Sequence, residues 1–203
     1  MISLEWRIFM PRMGLNRQAV VNAAIQLIEE RGYQNFSMRE LADSLQIKTA
    51  SLYNHVESIE ALYLEIGHYA ISELNQIQLS AITDKKRDEA VQALAASYYG
   101  FAKEHPELYK VIMSFPILKD SSLLNAAGNI VNLIIAVLSD YELNLEQKRH
   151  LQRVLRSIMH GFISQEDSGC FKHFPVDVSK SFCIAIDCFL YGLHNMEQEN
   201  MKK

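Results

Sequence analysis

The sequence predicts an all-α protein, with a three-helix N-terminal domain followed by a longer helical bundle. Three observations lead there. Apolar residues recur at three- and four-residue steps nearly everywhere. Only four prolines and eight glycines interrupt 203 residues, so few positions break a helix. Runs of β-branched residues with alternating polarity are scarce, which leaves little from which to build strands.

The elements follow in order. Asn16 is placed to cap a first helix whose Val20, Ala23, Ala24, Leu27 and Ile28 share a face, and Gly32 stops it. Ser37 starts a second helix, with Glu40 three residues on to complete a capping box and Leu41, Ala42 and Leu45 as the apolar side. Gln46-Ile47 make a break, and a third helix is predicted from Lys48 to His55. Ser58 caps a longer fourth helix in which Ile59, Leu62, Tyr63, Ile66 and Tyr69 recur at helical steps. The polar stretch TDKKRDE at 83–89 reads as a joint. Beyond it, helices are expected at 88–103, ended by His105-Pro106, at 108–113, at 123–138, at 145–165 and at 178–198. The domain reading is therefore 10–58 and 59–203.

Composition bounds the function classes. The chain is 49% hydrophobic and 22% charged, the balance of a packed globular chain rather than a disordered one. The longest strongly apolar run, Ile130 to Leu138, is short of the roughly 20 residues that span a bilayer. The opening MISLEWRIF carries Glu5, Arg7 and no small-residue cleavage site, so it makes a poor signal peptide. Cys170, Cys183 and Cys188 form an odd set without metal spacing. The expectation is a cytoplasmic protein with no membrane partner. Net charge is −4, and through Ser58 six cations (Arg7, Arg12, Arg17, Arg31, Arg39, Lys48) balance six anions. Any nucleic-acid role must therefore rest on arrangement rather than on bulk charge.

The stretch MRELADSLQIKTASLYNHV, 38–56, supplies such an arrangement. Two short helices joined by a tight turn, behind a longer supporting helix, make a helix-turn-helix unit, whose second helix enters the major groove. Lys48, Thr49, Ala50 and Ser51 would lead that helix, with Tyr53, Asn54 and His55 following. Thr49 offers a methyl and a hydroxyl, and Ala50 allows close approach to a thymine methyl. Tyr53 and His55 can donate to phosphate oxygens. Leu52 and Val56 point inward, and Ser37 and Arg39 are placed to clamp neighbouring phosphates. The competing reading is a plain αα-hairpin with Tyr53 and His55 half buried in packing.

The residues Met10-Pro11-Arg12, Gly14-Leu15, Ala23-Ala24, Gly32-Tyr33, Phe36-Ser37-Met38-Arg39-Glu40-Leu41-Ala42 and Ser51-Leu52-Tyr53-Asn54-His55-Val56 together resemble the DNA-binding domain of TetR-type transcriptional regulators. The resemblance implies a repressor that binds palindromic double-stranded operator DNA as a homodimer and is released by a small-molecule inducer. Two positions depart from the family pattern. Gln46 stands where the turn usually has glycine, and Ile59 stands where a lysine commonly touches phosphate. Family members often begin near the Met-Pro-Arg found here at Met10, which marks residues 1–9 as the extension.

Two apolar stripes are expected to serve both core and pairing. One holds Leu151, Val154, Leu155, Ile158, Met159, Phe162 and Ile163; the other holds Phe182, Ala185, Ile186, Phe189, Leu190 and Leu193. Leu151, Leu155, Ile158, Phe182, Ile186, Phe189 and Leu193 are the residues expected at the dimer interface. The stretch YYGFAKEHPELYKVIM, 98–113, also resembles TetR-type regulatory domains. His160-Gly161-Phe162 with Gly169-Cys170-Phe171 is similar to the subgroup named for a Trp-His-Gly signature, without its tryptophan. The resemblance implies an inducer pocket, for which Tyr98, Phe101, Tyr109, Met113, Phe115, Ile134, Met159, His160 and Phe162 are the candidates. Aromatics and methionines at helical spacing are more often plain core, and His160 more often a core histidine with its hydrogen bond satisfied.

No HExxH, phosphate-cradling glycine loop or nucleophile elbow occurs, so no catalytic residue, metal site or cofactor is assigned. Cys170 and His173 make only a partial metal set. A helical adaptor that binds protein partners without DNA is the alternative reading.

Overall fold

The computed structural model describes residues 15–118 and 121–202, excluding the side chains of 115–118 and 124. Expectations about residues 1–9 and Met10, Pro11, Arg12 and Gly14 lie outside the described residues, as does the side chain of Phe115. The described residues form nine α-helices and no strand. They divide into two compact units, one ending at Ile66 and one beginning at Gly67.

In the first unit, α1 spans Arg17–Arg31. Asn16 Oδ1 accepts from the Ala19 N–H at 2.9 Å, and Gly32 ends the helix at φ 91°, a left-handed value that glycine adopts without strain. A 3₁₀ turn at Tyr33–Asn35 leads to α2, Met38–Ser44. Ser37 Oγ caps α2 by accepting from the Glu40 N–H at 3.2 Å, and donates to the Glu40 carboxylate at 3.1 Å. The α-helical part of α3 is only Thr49–Leu52, shorter than the expected Lys48–His55. Residues 53–55 form a hydrogen-bonded turn instead, in which the Leu52 carbonyl accepts from both His55 (2.8 Å) and Val56 (3.0 Å). Asn54 and His55 are weak helix formers, and Lys48 provides no side-chain cap at the other end.

The fourth helix, α4, runs Ile59–Ile82 with Ser58 Oγ accepting from the Ala61 N–H. The unit boundary thus falls inside α4 rather than at its start. Its buried line is Leu62, Ile66, Ala70 and Leu74. Tyr69, expected in that stripe, is 39% exposed, because a period of 3.6 carries it off the face that four-residue steps follow. Tyr63 packs edge-on against both Tyr33 (5.4 Å) and Phe36 (5.5 Å).

In the second unit, α5 (Arg87–Glu104) touches α6 (Pro106–Leu118), α7 (Ser121–Val137), α8 (Leu145–Asp167) and α9 (Val178–Met201). It buries Ala90, Val91, Leu94, Ala95, Tyr98, Phe101 and Ala102. Pro106 does not merely end α5; it opens α6 at the first helical position, where its missing N–H is harmless. Residues 121–140 are longer and more apolar than the run 130–138 suggested, enough by length and composition to cross a membrane. In this fold Leu123, Ile130, Ile134, Val137 and Leu138 from that stretch are buried, and with that face α7 packs on α5, α6 and α8, while most of its length stays exposed or half-buried.

The two stripes of α8 and α9 require a correction. Leu151, Leu155, Phe182, Ile186, Phe189 and Leu193 are buried within the unit, and Ile158 is half-buried. They fill their own core, because α8 and α9 pack on each other and on α5. The faces left outward carry Val154, Ile184 and Tyr191, the last 72% exposed.

A polar clasp joins the ends of this unit. The Arg87 guanidinium donates to both oxygens of the buried Glu197 at 3.2 and 2.7 Å, and lies 4.4 Å over the Tyr141 ring. Glu197 also accepts from the Glu142 N–H at 2.8 Å. Tyr141 Oη donates to Asp88, and His194 Nε2 lies 2.9 Å from the other Asp88 oxygen.

Candidate nucleic-acid interface

The α2–α3 pair is held from inside by apolar anchors. Leu41, Ala42, Leu52 and Val56 are all 2% exposed or less. Between the helices the chain reverses at Gln46, whose φ is 56°, and the Ile47 N–H returns to the Ala42 carbonyl at 3.0 Å. That fixes where α3 begins. Because Leu52 must point inward, residues a helical step away point outward. Lys48, Ala50, Tyr53 and Asn54 are exposed, while Thr49, Ser51 and His55 are half-buried. Tyr53 is 52% exposed and His55 half-buried, so of the two side chains that the plain hairpin reading would pack, Tyr53 faces solvent.

The structure brings these seven residues onto one short segment and separates the two support-helix candidates by role. Arg39 is exposed. Ser37 is not an open phosphate ligand, since its hydroxyl already accepts from Glu40 N–H and donates to the Glu40 carboxylate. Arg17 is likewise engaged, bonded to Glu65 on α4, which pins α1 to α4 within the unit. Arg31 lies 3.8 Å from Glu40. Among the described residues Arg39 and Lys48 join no ion pair, which leaves their charges for a phosphate backbone.

The residues proposed for an inducer pocket form a packed aromatic group. Tyr98, Phe101, Tyr109, Ile134 and Met159 are buried, and Met113, His160 and Phe162 are half-buried. Tyr98 and Tyr109 hydroxyls lie 3.3 Å apart, and Tyr109 Oη lies 2.7 Å from His160 Nδ1. Burial, and then the positive charge of Arg156, hold His160 below the usual imidazole range, while burial pushes the Tyr109 phenol up. Both shifts favour the uncharged forms of the two side chains, which share one hydrogen bond between Tyr109 Oη and His160 Nδ1. His160 is thus half-buried with a hydrogen-bond partner of its own. Phe162 packs against Phe171 (4.9 Å) and Phe182 (5.4 Å), so the 160–171 motif has a local packing role.

A cleft of about 550 Å³ lies elsewhere in the second unit, between α4 and α7. Its lining includes none of the nine candidates. The sequence signal for it was faint: asparagine and glutamine interrupt the apolar periodicity of α4 and α7, as solvent-facing residues also do.

Comparison with known proteins gives a consistent picture. Residues 20–66 match the family described as bacterial regulatory proteins, tetR family. Residues 91–189 match the tetracyclin repressor-like C-terminal domain, a description that does not name the Trp-His-Gly subgroup. The chain is 28% identical over 184 residues to the uncharacterized HTH-type transcriptional regulator YobS of Bacillus subtilis, covering 90% of this chain and 95% of that one. It is 30% identical over 164 residues to the uncharacterized HTH-type transcriptional regulator Rv0681 of Mycobacterium tuberculosis, covering 80% and 75%. In fold it is similar to a protein of unknown function from Rhodococcus sp. RHA1, with TM-score 0.78, 20% identity and coverage of 91% and 98%.

Proposed function

The chain belongs to the TetR family of transcriptional regulators, and from that premise we propose that it is a cytoplasmic, non-enzymatic repressor of this type. It binds palindromic operator DNA as a homodimer and leaves it when a small-molecule inducer binds. The observation that carries the reading is the exposed line Lys48, Ala50, Tyr53 and Asn54 on a segment anchored from below by Leu52 and Val56. Thr49, Ala50 and Ser51 face base edges, while Arg39, Lys48, Tyr53 and His55 hold the backbone. The description of the C-terminal match as repressor-like favours repression over activation.

One such segment makes few contacts, so tight binding needs two. Pairing uses the outward faces of α8 and α9 around Val154, Ile184 and Tyr191, leaving Leu151, Leu155 and Phe189 to the core. Release is a population shift, driven by an inducer that prefers the arrangement unable to bind DNA.

The test is binding to duplex fragments selected from the source genome, measured across salt concentrations. With Arg39 and Lys48 from each of two protomers on phosphates, log K should fall with log salt at a slope of about −4. The selected fragments should share an inverted repeat. Salt-independent binding, or no shared repeat, would favour the adaptor reading.

A further inference from the structure

We propose that one flank of α8, the ridge Arg149, Arg153 and Arg156, docks an acidic amphipathic helix of a partner protein. The three guanidinium groups stand four and three residues apart, so they share one side of the helix over about 10 Å. All three residues are exposed. Other cations of the second unit sit on carboxylates: Arg87 on Glu197, Lys103 on Glu166 and Lys110 on Glu107. Arg149, Arg153 and Arg156 have neither an ion pair nor a side-chain hydrogen bond among the described residues. The neighbouring helix α7 carries no charged residue that could supply one. The charge of Arg156 is still felt nearby, where it helps to hold His160 below the usual imidazole range. Like charges at helical steps repel, so the ridge weakens its own helix until a row of carboxylates covers it. An arginine fork grips a carboxylate through two parallel N–H bonds.

Three features select an acidic helix over other anions. Leu145, one turn before Arg149 on the same side, is 57% exposed and offers apolar surface to an amphipathic partner. Glu146, 84% exposed and 3.8 Å from His150, repels a nucleic-acid backbone, which carries a phosphate charge about every 1.7 Å. A peptide can place a lysine opposite it, or nothing at all. A second copy of this chain lacks the complement, because none of its described helices carries carboxylates at successive three- and four-residue steps. Pairing through Val154 also uses a different face, since Val154 lies about 100° round the helix from Arg153.

This docking surface is independent of the DNA-binding reading, and it is tested on the full-length chain. The probe is a fluorescein-labelled, alanine-rich helical peptide with glutamates four and three residues apart and a leucine one turn away. Its control is an isomer of the same composition with the glutamates spread round the helix. By fluorescence anisotropy the first peptide should bind roughly tenfold tighter than the isomer, and should weaken as salt rises. Replacing all three arginines together (Arg149→Gln, Arg153→Gln, Arg156→Gln) should weaken that peptide by a similar factor. The same variant should keep its duplex affinity and oligomeric state, with an unfolding midpoint at or above that of the wild type, because repulsion is relieved. Equal binding of the two peptides, binding of neither, or full retention by the triple variant would each overturn the proposal. So would three changes in that variant: lost duplex affinity assigns the ridge to nucleic acid, an altered oligomeric state assigns it to a second copy, and a lowered midpoint assigns it to the fold.

Discussion

Tyr53 and Tyr109 are the same side chain in opposite situations. Tyr109, 6% exposed, shares its hydroxyl with Tyr98 and His160 inside the second unit. Tyr53, 52% exposed, has no hydrogen-bond partner among the described residues. A satisfied, buried hydroxyl specifies packing, and its removal leaves partners stranded. An exposed, unsatisfied one contributes little to the fold, so its chemistry remains available to another molecule. The contrast extends to the elements around them. In the α2–α3 segment the polar groups face out and the anchors are few, whereas in α5, α8 and α9 the bonded polar side chains reinforce the core.

The sharpest break of that contrast is Phe189→Asp. Phe189 is 6% exposed on α9, so the substitution removes an aromatic from the core and buries an unpaired carboxylate. A loss of about 4 kcal/mol or more is expected, seen as collapse of the urea transition rather than as a folded monomer. A folded, monomeric Phe189→Asp would return this residue to the pairing surface. Tyr53→Ala should do the reverse. Its urea midpoint should stay within about 0.5 kcal/mol of the wild type, while duplex affinity falls roughly 10- to 100-fold, the worth of one hydrogen bond to a charged group. Unchanged affinity would remove Tyr53 from the interface.

Much of this was legible in the sequence, and the failures have physical causes. Asn16, Ser37, Ser58 and Gly32 marked helix ends because capping is local chemistry written in neighbouring residues. The exposure of Tyr53 followed from Leu52 and Val56, since two anchors fix the direction of a short helix. The burial of Leu151 and Phe189 was harder to assign. A stripe shows which side of a helix is apolar, not whether its own chain or a second copy covers it. The clasp of Arg87, Asp88, Tyr141, His194 and Glu197 was invisible for a related reason: its members are as far as 110 positions apart, and charged residues near helix ends ordinarily sit in water.

Glu197→Ala tests the clasp at an intermediate scale. The pair lies between an exposed and a buried ion pair, because Glu197 is buried while the Arg87 side chain is 46% exposed. A loss of about 2 kcal/mol is expected. The hydrogen bonds from Arg87 hold the Glu197 carboxyl below its ordinary value of 4.5. A depressed folded pKa contributes stability that is full above the unfolded value and disappears as pH falls through the folded one. The wild type should therefore lose stability as pH drops below about 4.5, and Glu197→Gln should flatten that acid limb. An unchanged acid limb would mean that Arg87 and Glu197 contribute no coupling.

The smallest effect probes the turn that aims the exposed segment. Gln46 sits at φ 56°, where a β-carbon is disfavoured by about 1–2 kcal/mol. Glycine would relieve that strain but lose more freedom on folding, an opposing effect of roughly 0.5–1 kcal/mol. The Gln46 side chain is exposed, so little packing is lost. Gln46→Gly should therefore stabilise by about 0.5 kcal/mol, a rise of roughly 1–2 °C in midpoint for a chain of this size. Duplex affinity decides what the turn does beyond reversing the chain. If only the left-handed backbone matters, affinity stays level, because α3 keeps its start and its anchors. A fall in affinity with a raised midpoint would place the Gln46 amide itself on the nucleic acid, extending the exposed line one residue group upstream of Lys48.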